Sequence, residues 1–187
     1  MKTPEPWTQG LDPQTLDRIS LFVDLILEWN PRINLTGFKD RRSIEDRLIG
    51  ESVLALRHVP ISGKRVVDFG SGAGIPGIVW AICEPTAKIT SVEIRQKKAA
   101  FQKEVVRKTS IPLDVVAGEF PQVLGNQTFD VVTTRAVRIP ASLVEKARLR
   151  LAPGGILVRF APAGYTETGC DSIPVSPRSV VLIQRFD

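Results

Sequence analysis

The sequence predicts an α/β fold in which a mostly parallel sheet follows a helical cap. From Lys64 onward, short β-branched runs alternate with helical runs, a pattern typical of parallel strands joined by crossover helices. Two helical patterns precede the first strand, and 187 residues is the length of one ordinary folding unit. We therefore expect a cap over residues 1–60 and a single compact sheet domain over residues 61–187.

The cap should contain two helices. Apolar side chains recur at helical spacing over residues 13–29, and Asn30-Pro31 should end this helix, because the residue before a proline avoids the helical conformation. A second helical pattern covers residues 43–56, with Ser43 as the expected N-cap.

Six strands and four helical segments are predicted in the sheet domain. The strands are expected over 65–69, 88–94, 113–117, 129–133, 156–160 and 179–186. The helices are expected over 75–82, 96–108, a short stretch after Glu119, and 141–151. Pro153-Gly154-Gly155 should form a turn before the fifth strand, and residues 161–177 should form a loop.

The composition favours a reduced, cytoplasmic protein with some affinity for phosphate. The two cysteines, Cys83 and Cys170, form no C-x-x-C pair, so we expect neither a metal site nor a disulfide framework. No apolar run has the length of a membrane span, and the first residues do not resemble a signal peptide. The net charge is +5, and residues 95–108 are densely basic. This basic segment either attracts phosphate backbones or is a solvated helix face.

The most informative segment is residues 66–77, Val-Val-Asp-Phe-Gly-Ser-Gly-Ala-Gly-Ile-Pro-Gly, which predicts a strand, a glycine turn and a helix start. Gly70, Gly72 and Gly74 allow the backbone to turn sharply and to come close to a ligand. We call residues 70–77 the glycine loop and expect it to bind a cofactor.

Two residues indicate which cofactor the loop binds. The dinucleotide fingerprint G-x-G-x-x-G fits Gly72, Gly74 and Gly77, but Asp68 would repel a pyrophosphate and Pro76 removes an N–H donor. A ligand without phosphate therefore fits better. The Asp-x-Gly-x-Gly-x-Gly pattern resembles motif I of class I S-adenosylmethionine-dependent methyltransferases, which have a Rossmann-like fold.

The residues that close the predicted strands are the other candidates for the site, because ligands of open α/β sheets bind beyond the carboxyl ends of the strands. Glu93 closes the second strand, at the distance from the glycine loop expected for an acid that binds ribose hydroxyls. In class I methyltransferases adenine is contacted after the third strand, which here ends in Ala117-Gly118. Glu119 either accepts a hydrogen bond from adenine or caps the next helix.

The end of the fourth strand restricts the kinds of methyl transfer that the protein can perform. It lacks the Asn/Asp-Pro-Pro-aromatic run that is common in enzymes that methylate the amino group of adenine. Neither cysteine is placed for nucleophilic attack on cytosine. Transfer to an atom with an available lone pair remains, and guanine N7 is such an atom. Arg135 is the candidate catalytic residue, for contact with the cofactor carboxylate, a substrate phosphate or the base; the alternative is a surface salt bridge. We expect no catalytic role for His58.

Three motifs together resemble the RsmG/GidB family of small-subunit ribosomal RNA guanine-N7 methyltransferases. They are Trp-Asn-Pro-Arg-Ile-Asn-Leu-Thr at 29–36, the motif at 67–77, and Phe-Asp-Val-Val-Thr-Thr-Arg-Ala-Val at 129–137. The resemblance implies S-adenosylmethionine as methyl donor, guanine N7 of 16S ribosomal RNA as acceptor, and a cytoplasmic monomer. It places cofactor contacts on Gly70, Ile75, Ala117-Gly118 and Arg135. Asn34 either shapes the substrate side or fixes a turn.

The chain departs from the family pattern at three places. Arg47-Leu48 stands where the family has Arg-His, Gly118 stands where it has Glu, and the lysine that usually follows the fifth strand is absent from 161–164. The connection to the last strand is also short. Two alternatives follow: a family member that binds cofactor or RNA without catalysis, and a small-molecule methyltransferase.

Overall fold

A computed structural model describes residues 6–135 and 140–186, which form a seven-stranded sheet flanked by helices. The strand order is β3-β2-β1-β4-β5-β7-β6. Strands β1 to β5 pair in parallel, and β7 is antiparallel to both β5 and β6. The strands are β1 (Arg65–Phe69), β2 (Lys88–Glu93), β3 (Leu113–Ala117), β4 (Phe129–Thr134), β5 (Leu151–Pro162), β6 (Cys170–Ser176) and β7 (Ser179–Arg185).

The helices precede the sheet or cross between its parallel strands. They are α1 (Pro13–Ile33), α2 (Arg41–Ile44), α3 (Glu51–Leu56), α4 (Gly77–Cys83), α5 (Gln96–Thr109) and α6 (Ala141–Arg148). A π-helical turn, Glu45–Gly50, joins α2 to α3, and short 3₁₀ turns occur at Pro6–Thr8 and Gln122–Leu124. Among the described residues no helix is long and apolar enough to span a membrane.

Helix α1 is longer than predicted, because Asn30-Pro31 does not end it. Pro31 lies in the last turn, and the helix ends only at Asn34, whose left-handed backbone (φ 50°) lets its N–H donate to Asn30 O at 3.0 Å. The Asn30 side chain fixes the next segment, since Nδ2 donates to Phe38 O and Oδ1 accepts from Thr36 N, both at 2.9 Å. The Asn-Pro-Arg-Ile-Asn motif therefore forms a helix end and a turn.

The second helical pattern also starts earlier than predicted. Asp40, not Ser43, is the N-cap: its Oδ1 accepts from the backbone N–H of Ser43 at 2.8 Å. The π-helical turn inside this pattern has no counterpart in the prediction, and such turns are frequent at functional sites.

The prediction missed strand β6 and placed a loop there. This strand is an edge strand that pairs only with β7, so it tolerates Pro174 and lacks regular alternation of apolar and polar residues. Strand β5 also begins earlier than predicted, at Leu151, and the residues of the predicted Pro-Gly-Gly turn lie in an irregularity of its pairing with β4.

The cap helices and the sheet share one hydrophobic core. Phe22 and Trp29 of α1 contact the ring of Phe101 on α5, with centroids 6.4 and 5.7 Å apart. A second cluster lies on the other face of the sheet, where Phe69 and Phe120 stack at 4.3 Å. The boundary between cap and sheet domain at residue 60 stays a prediction, but the cap is packed against the face of the sheet that carries α4 and α5.

Candidate active site

The glycine loop joins β1 to α4 and has the open backbone expected of a ligand site. Gly70, Gly72 and Gly74 have φ of +63°, +58° and +84°, which L side chains rarely adopt. A Cβ at Gly74 would lie 2.2 Å from Ile78 Cδ1, so this glycine is required for packing. A Cβ at Gly70 would meet no atom within 4 Å. The loop therefore presents an open surface at Gly70 and a closely packed one at Gly74 and the neighbouring Ile75, which is buried.

Asp68 lies beneath the glycine loop, fully buried. Its Oδ2 accepts from the backbone N–H of Gly77 at 2.9 Å and so ties β1 to the start of α4. Burial, with a smaller contribution from the nearby charge of Glu93, raises the pKa of Asp68 to about 7, and the hydrogen bond from Gly77 opposes this shift. Among the described residues Oδ1 has no hydrogen-bond partner, and the same is true of Thr133 Oγ1, whose residue is the register partner of Asp68 on β4.

Glu93 closes β2, as predicted, and faces the glycine loop. Its Oε2 accepts from Gly72 N at 2.7 Å and its Oε1 from Arg95 N at 2.8 Å. Each carboxylate oxygen has two lone pairs, so these bonds leave capacity for a ligand hydroxyl. The ribose role of Glu93 stays a prediction.

A buried polar network that the sequence analysis missed holds the glycine loop against α5. Gln102 Nε2 donates to Ser71 Oγ at 2.8 Å and to Gly72 O at 2.9 Å. Its Oε1 accepts from Ser91 Oγ at 2.6 Å, and the two serine hydroxyls lie 2.7 Å apart. The available signal was a glutamine in the apolar stripe of an amphipathic helix, between Phe101 and Val105.

The residues predicted to contact adenine lie next to Glu93. Gly118 N donates to Glu93 O at 3.0 Å, so the ends of β2 and β3 are joined. Ile94 is 61% exposed and Val123 37%, which is unusual for large apolar side chains. A Cβ at Gly118 would lie 2.7 Å from Val123 Cγ2, so Val123 sits over this strand end. The Glu119 side chain is exposed and caps no helix, so that alternative is wrong.

Arg135 follows β4, and its guanidinium is turned toward the cap. Nη2 donates to the Glu51 carboxylate and to Arg47 O, and the guanidinium carbon lies 4.7 Å from the centre of the Phe160 ring. Burial lowers the pKa of Arg135, and the charge of Glu51 opposes this effect. Nη1 has no partner among the described residues. The ion pair is therefore largely buried rather than on the surface.

Glu51 is the second residue that the sequence analysis missed. It is fully buried, and its Oε1 accepts from Arg47 Nε at 3.2 Å and from the hydroxyls of Ser176 and Ser179 at 2.9 Å each. The carboxylate thus joins the cap to β4 and to the β6–β7 hairpin. The signals in the sequence were an acid at a buried position of an amphipathic helix and its match, as Glu51-Ser52, to an acidic-Ser pair of the family pattern.

A cavity of about 320 Å³ lies beside Arg135, and we call it the first cavity. Its walls include the aromatic rings of Phe38 and Phe160 and the side chains of Arg47 and Arg178. Arg47 lies over the Phe38 ring at 5.7 Å. Among the described residues that line it there is no carboxylate, histidine or cysteine. The described part of the cavity wall therefore offers flat apolar surfaces and cations, but no general base.

Neither His58 nor the basic segment lines the first cavity. Residues 136 and 137 of the third motif are outside the described residues. His58 is exposed in a turn after α3. In the basic segment, Arg107 and Lys108 pair with Glu104. Within residues 6–135 and 140–186 no group of three potential ligands could hold a metal ion.

Comparison with known proteins first identifies the class. A SAM-dependent methyltransferase from Aquifex aeolicus superposes with a TM-score of 0.62 at 14% identity, covering 78% of this chain and 93% of its own. The ribosomal protein L11 methylase of Lactobacillus delbrueckii subsp. bulgaricus superposes with a TM-score of 0.56 at 11% identity, covering 80% and 81%. The sheet order and these similarities confirm the predicted class I methyltransferase fold.

Sequence comparison then identifies the family. The profile described as rRNA small subunit methyltransferase G (GidB) matches residues 15–163. Proteins named ribosomal RNA small subunit methyltransferase G from Halorhodospira halophila and Methylobacillus flagellatus are 34% and 36% identical, each over 79% of this chain and 70% and 72% of their own. The chain belongs to the GidB family, and the predicted family and class of enzyme are confirmed.

Proposed function

We propose that this protein transfers a methyl group from S-adenosylmethionine to N7 of a guanine in small-subunit ribosomal RNA, as a monomer in the cytoplasm. Family membership supports the methyl transfer and the RNA. The observation that supports N7 is the lining of the first cavity, which combines two aromatic rings with arginines and contains no proton acceptor among its described residues.

The residues around the glycine loop fit S-adenosylmethionine. The open side of Gly70 admits a ligand close to the backbone, and Asp68 Oδ1 is a buried acceptor without a partner among the described residues, suited to an ammonium group. We expect Glu93, whose carboxylate faces the glycine loop, to bind the ribose hydroxyls, and the exposed side chains of Ile94 and Val123 to contact the adenine ring. When bound, this cofactor supplies a methyl group attached to a positively charged sulfur.

The first cavity fits a guanine base. Phe38 and Phe160 offer flat surfaces for stacking, and Arg47 and Arg178 offer donors to base oxygens or phosphate. Arg135 links the first cavity to the glycine loop, because it lines this cavity and its charge interacts with that of Asp68 beneath the loop. Guanine N7 carries a lone pair, so the protein needs only to orient the base and exclude water.

The proposal is tested with small ribosomal subunits that lack the modification and labelled S-adenosylmethionine. Incorporated label should map to a guanine that becomes sensitive to N7-methylguanine-specific strand cleavage. Arg135→Lys keeps a charge beside Glu51 but loses the planar fork, and we expect its kcat to fall about a hundredfold. Circular dichroism shows whether the variant is folded, and calorimetry separates a loss of S-adenosylmethionine binding from a loss of methyl transfer.

The matched control is Arg148→Gln, which removes an exposed helical arginine whose one ion pair with a described residue is to Glu145 and which does not line the first cavity. It should retain wild-type activity. Label on a protein, on a ribose or on another base atom would contradict the proposed acceptor, and failure of the wild type to bind S-adenosylmethionine would contradict the proposed donor.

A further inference from the structure

A second cavity, of about 440 Å³, lies next to the first one. Arg47 and Arg178 line both cavities, so the two share a wall. The second cavity lies between the 3₁₀ turn at Pro6–Thr8, helix α2 with its π-helical turn, and the β6–β7 hairpin. Its volume lies within the usual range for pockets that bind small ligands.

The charged side chains of this second cavity are mostly cationic and only partly neutralised. Arg42 is 84% exposed, and its contact with Asp46, at 3.6 Å, is a surface pair of the kind that contributes little. Arg178 is exposed, and its guanidinium forms no ion pair with a described residue. Asp46 is the one acidic side chain among the described lining residues. Two guanidinium groups are therefore available to an anion.

Trp7 supplies a buried hydrogen-bond donor in the same wall. The residue is only 8% exposed, and its Nε1 has no partner among the described residues. Its ring packs directly on the π-helical turn, since a Cβ at Gly50 would lie 2.7 Å from Trp7 Cδ1. Leu54 and Val175 add apolar surface. An aromatic and apolar floor below a cationic rim suits a nucleotide, with the base below and the phosphate at the arginines.

We infer that the second cavity holds the ribosomal RNA nucleotide adjacent to the methylated guanine. This inference rests on the proposed function, in which the target guanine occupies the first cavity. Because Arg47 and Arg178 line both cavities, the second cavity lies where the next nucleotide of the same RNA strand would bind. The phosphate that joins the two nucleotides lies at Arg178, and Arg42 contacts the next phosphate, on the other side of the nucleotide in the second cavity. The site therefore binds RNA in single-stranded form.

The test uses Arg42→Gln, because Arg42 lines the second cavity and not the first. Its matched control is Arg148→Gln, another helical arginine with an intrahelical partner. For Arg42→Gln we expect KM for unmodified small subunits to rise about tenfold with kcat unchanged, and the slope of log affinity for naked rRNA against log salt to fall by about 0.7. Affinity for S-adenosylmethionine should not change in either variant.

A second variant tests the base rather than the phosphate. Trp7→Phe keeps an aromatic ring and removes the indole N–H, and we expect a rise of a few-fold in KM for small subunits without a change in the salt slope. Ultraviolet cross-linking of the wild-type protein to rRNA should give an adduct on the peptides that contain Trp7 or residues 42–47.

Three results would overturn the inference. The first is Arg42→Gln behaving as Arg148→Gln does. The second is an Arg42→Gln effect on assembled subunits with none on binding of naked rRNA, which would assign the cavity to a ribosomal protein. The third is cross-linking confined to other peptides. If instead the wild type fails to methylate small subunits, the proposed function itself has failed, so the two failures are distinguishable.

Discussion

The two halves of the site are built in different ways. The glycine-loop half is formed by neighbouring strands and helices, and its polar groups are held by backbone amides, two serines and a glutamine. The arginine half is formed by the cap, the end of β4 and the β6–β7 hairpin, which meet around the Glu51 carboxylate. The glycine-loop half is therefore a local structure, whereas the arginine half exists only when distant parts of the chain are assembled.

This difference predicts that the two halves respond differently to substitution. Substitutions in the arginine half should affect stability and RNA binding together, because the buried Glu51 carboxylate holds both Arg135 and the β6–β7 hairpin in place. Substitutions in the glycine loop should separate stability from binding of S-adenosylmethionine, since Gly70 and Gly72 are open whereas Gly74 and Gly77 are closely packed.

The largest effect is expected for Glu51→Ala. The change leaves the Arg135 guanidinium buried without its counter-charge, so the free energy of unfolding should fall by about 3–5 kcal/mol, as measured by urea denaturation. Glu145→Ala is the control: its ion pair with Arg148 is exposed, and its loss should cost less than about 0.5 kcal/mol. Equal effects of the two substitutions would show that Glu51 does not stabilise the arginine half.

Two glycines with similar backbones provide the second comparison. Gly74→Ala should lower the free energy of unfolding by about 3 kcal/mol, because the new Cβ overlaps Ile78 and the positive φ adds strain. Gly70→Ala should cost only about 1 kcal/mol, but its Cβ projects into the open side of the loop and should weaken binding of S-adenosylmethionine. Denaturation and calorimetry on both variants test this, and an unchanged cofactor affinity in Gly70→Ala would place the ligand elsewhere.

The third prediction concerns pH. Asp68 binds its proton more tightly in the folded protein, with a pKa of about 7, than in the unfolded chain, where the value is 3.8. Protons are therefore released on unfolding, and the stability contributed by the protonated form is lost as pH rises toward 7. Between pH 5 and pH 7 the free energy of unfolding should fall by roughly 2–3 kcal/mol.

Asp68→Asn is the control for this pH dependence. The amide oxygen can still accept from Gly77 N, and the side chain no longer titrates. Urea denaturation at several pH values should show a decline in the wild type that is absent in the variant. A decline of the same size in both proteins would assign it to other groups.

Much of the parallel sheet was predictable from the sequence. Strands β1 and β3 have the predicted bounds, and β2 and β4 differ by one residue, because buried parallel strands are β-branched runs between glycine or proline turns. The errors lie where packing overrides local preference. Helix α1 continues through Pro31 with support from the Asn30 side chain, and the edge strand β6 depends on its pairing with β7.

The site shows the same division. Asp68, Glu93 and Gly118 were predicted and lie together around the glycine loop, since the carboxyl ends of parallel strands meet at one edge of a sheet. Glu51 and Gln102 were missed, because a buried polar residue in an amphipathic helix does not reveal its partners.

The sequence by itself determined the glycine loop, the parallel strands that carry it and the family, because motif spacing and apolar periodicity are local properties of the chain. Only the tertiary structure decided how the arginine half is assembled. The bonds of Glu51 to Arg135 and to Ser179 span 84 and 128 residues, and a hydrogen bond across such a separation depends on how the cap and the hairpin pack against the sheet. Because this ion pair is buried, its two charges interact strongly, whereas the same charges in water would interact only weakly.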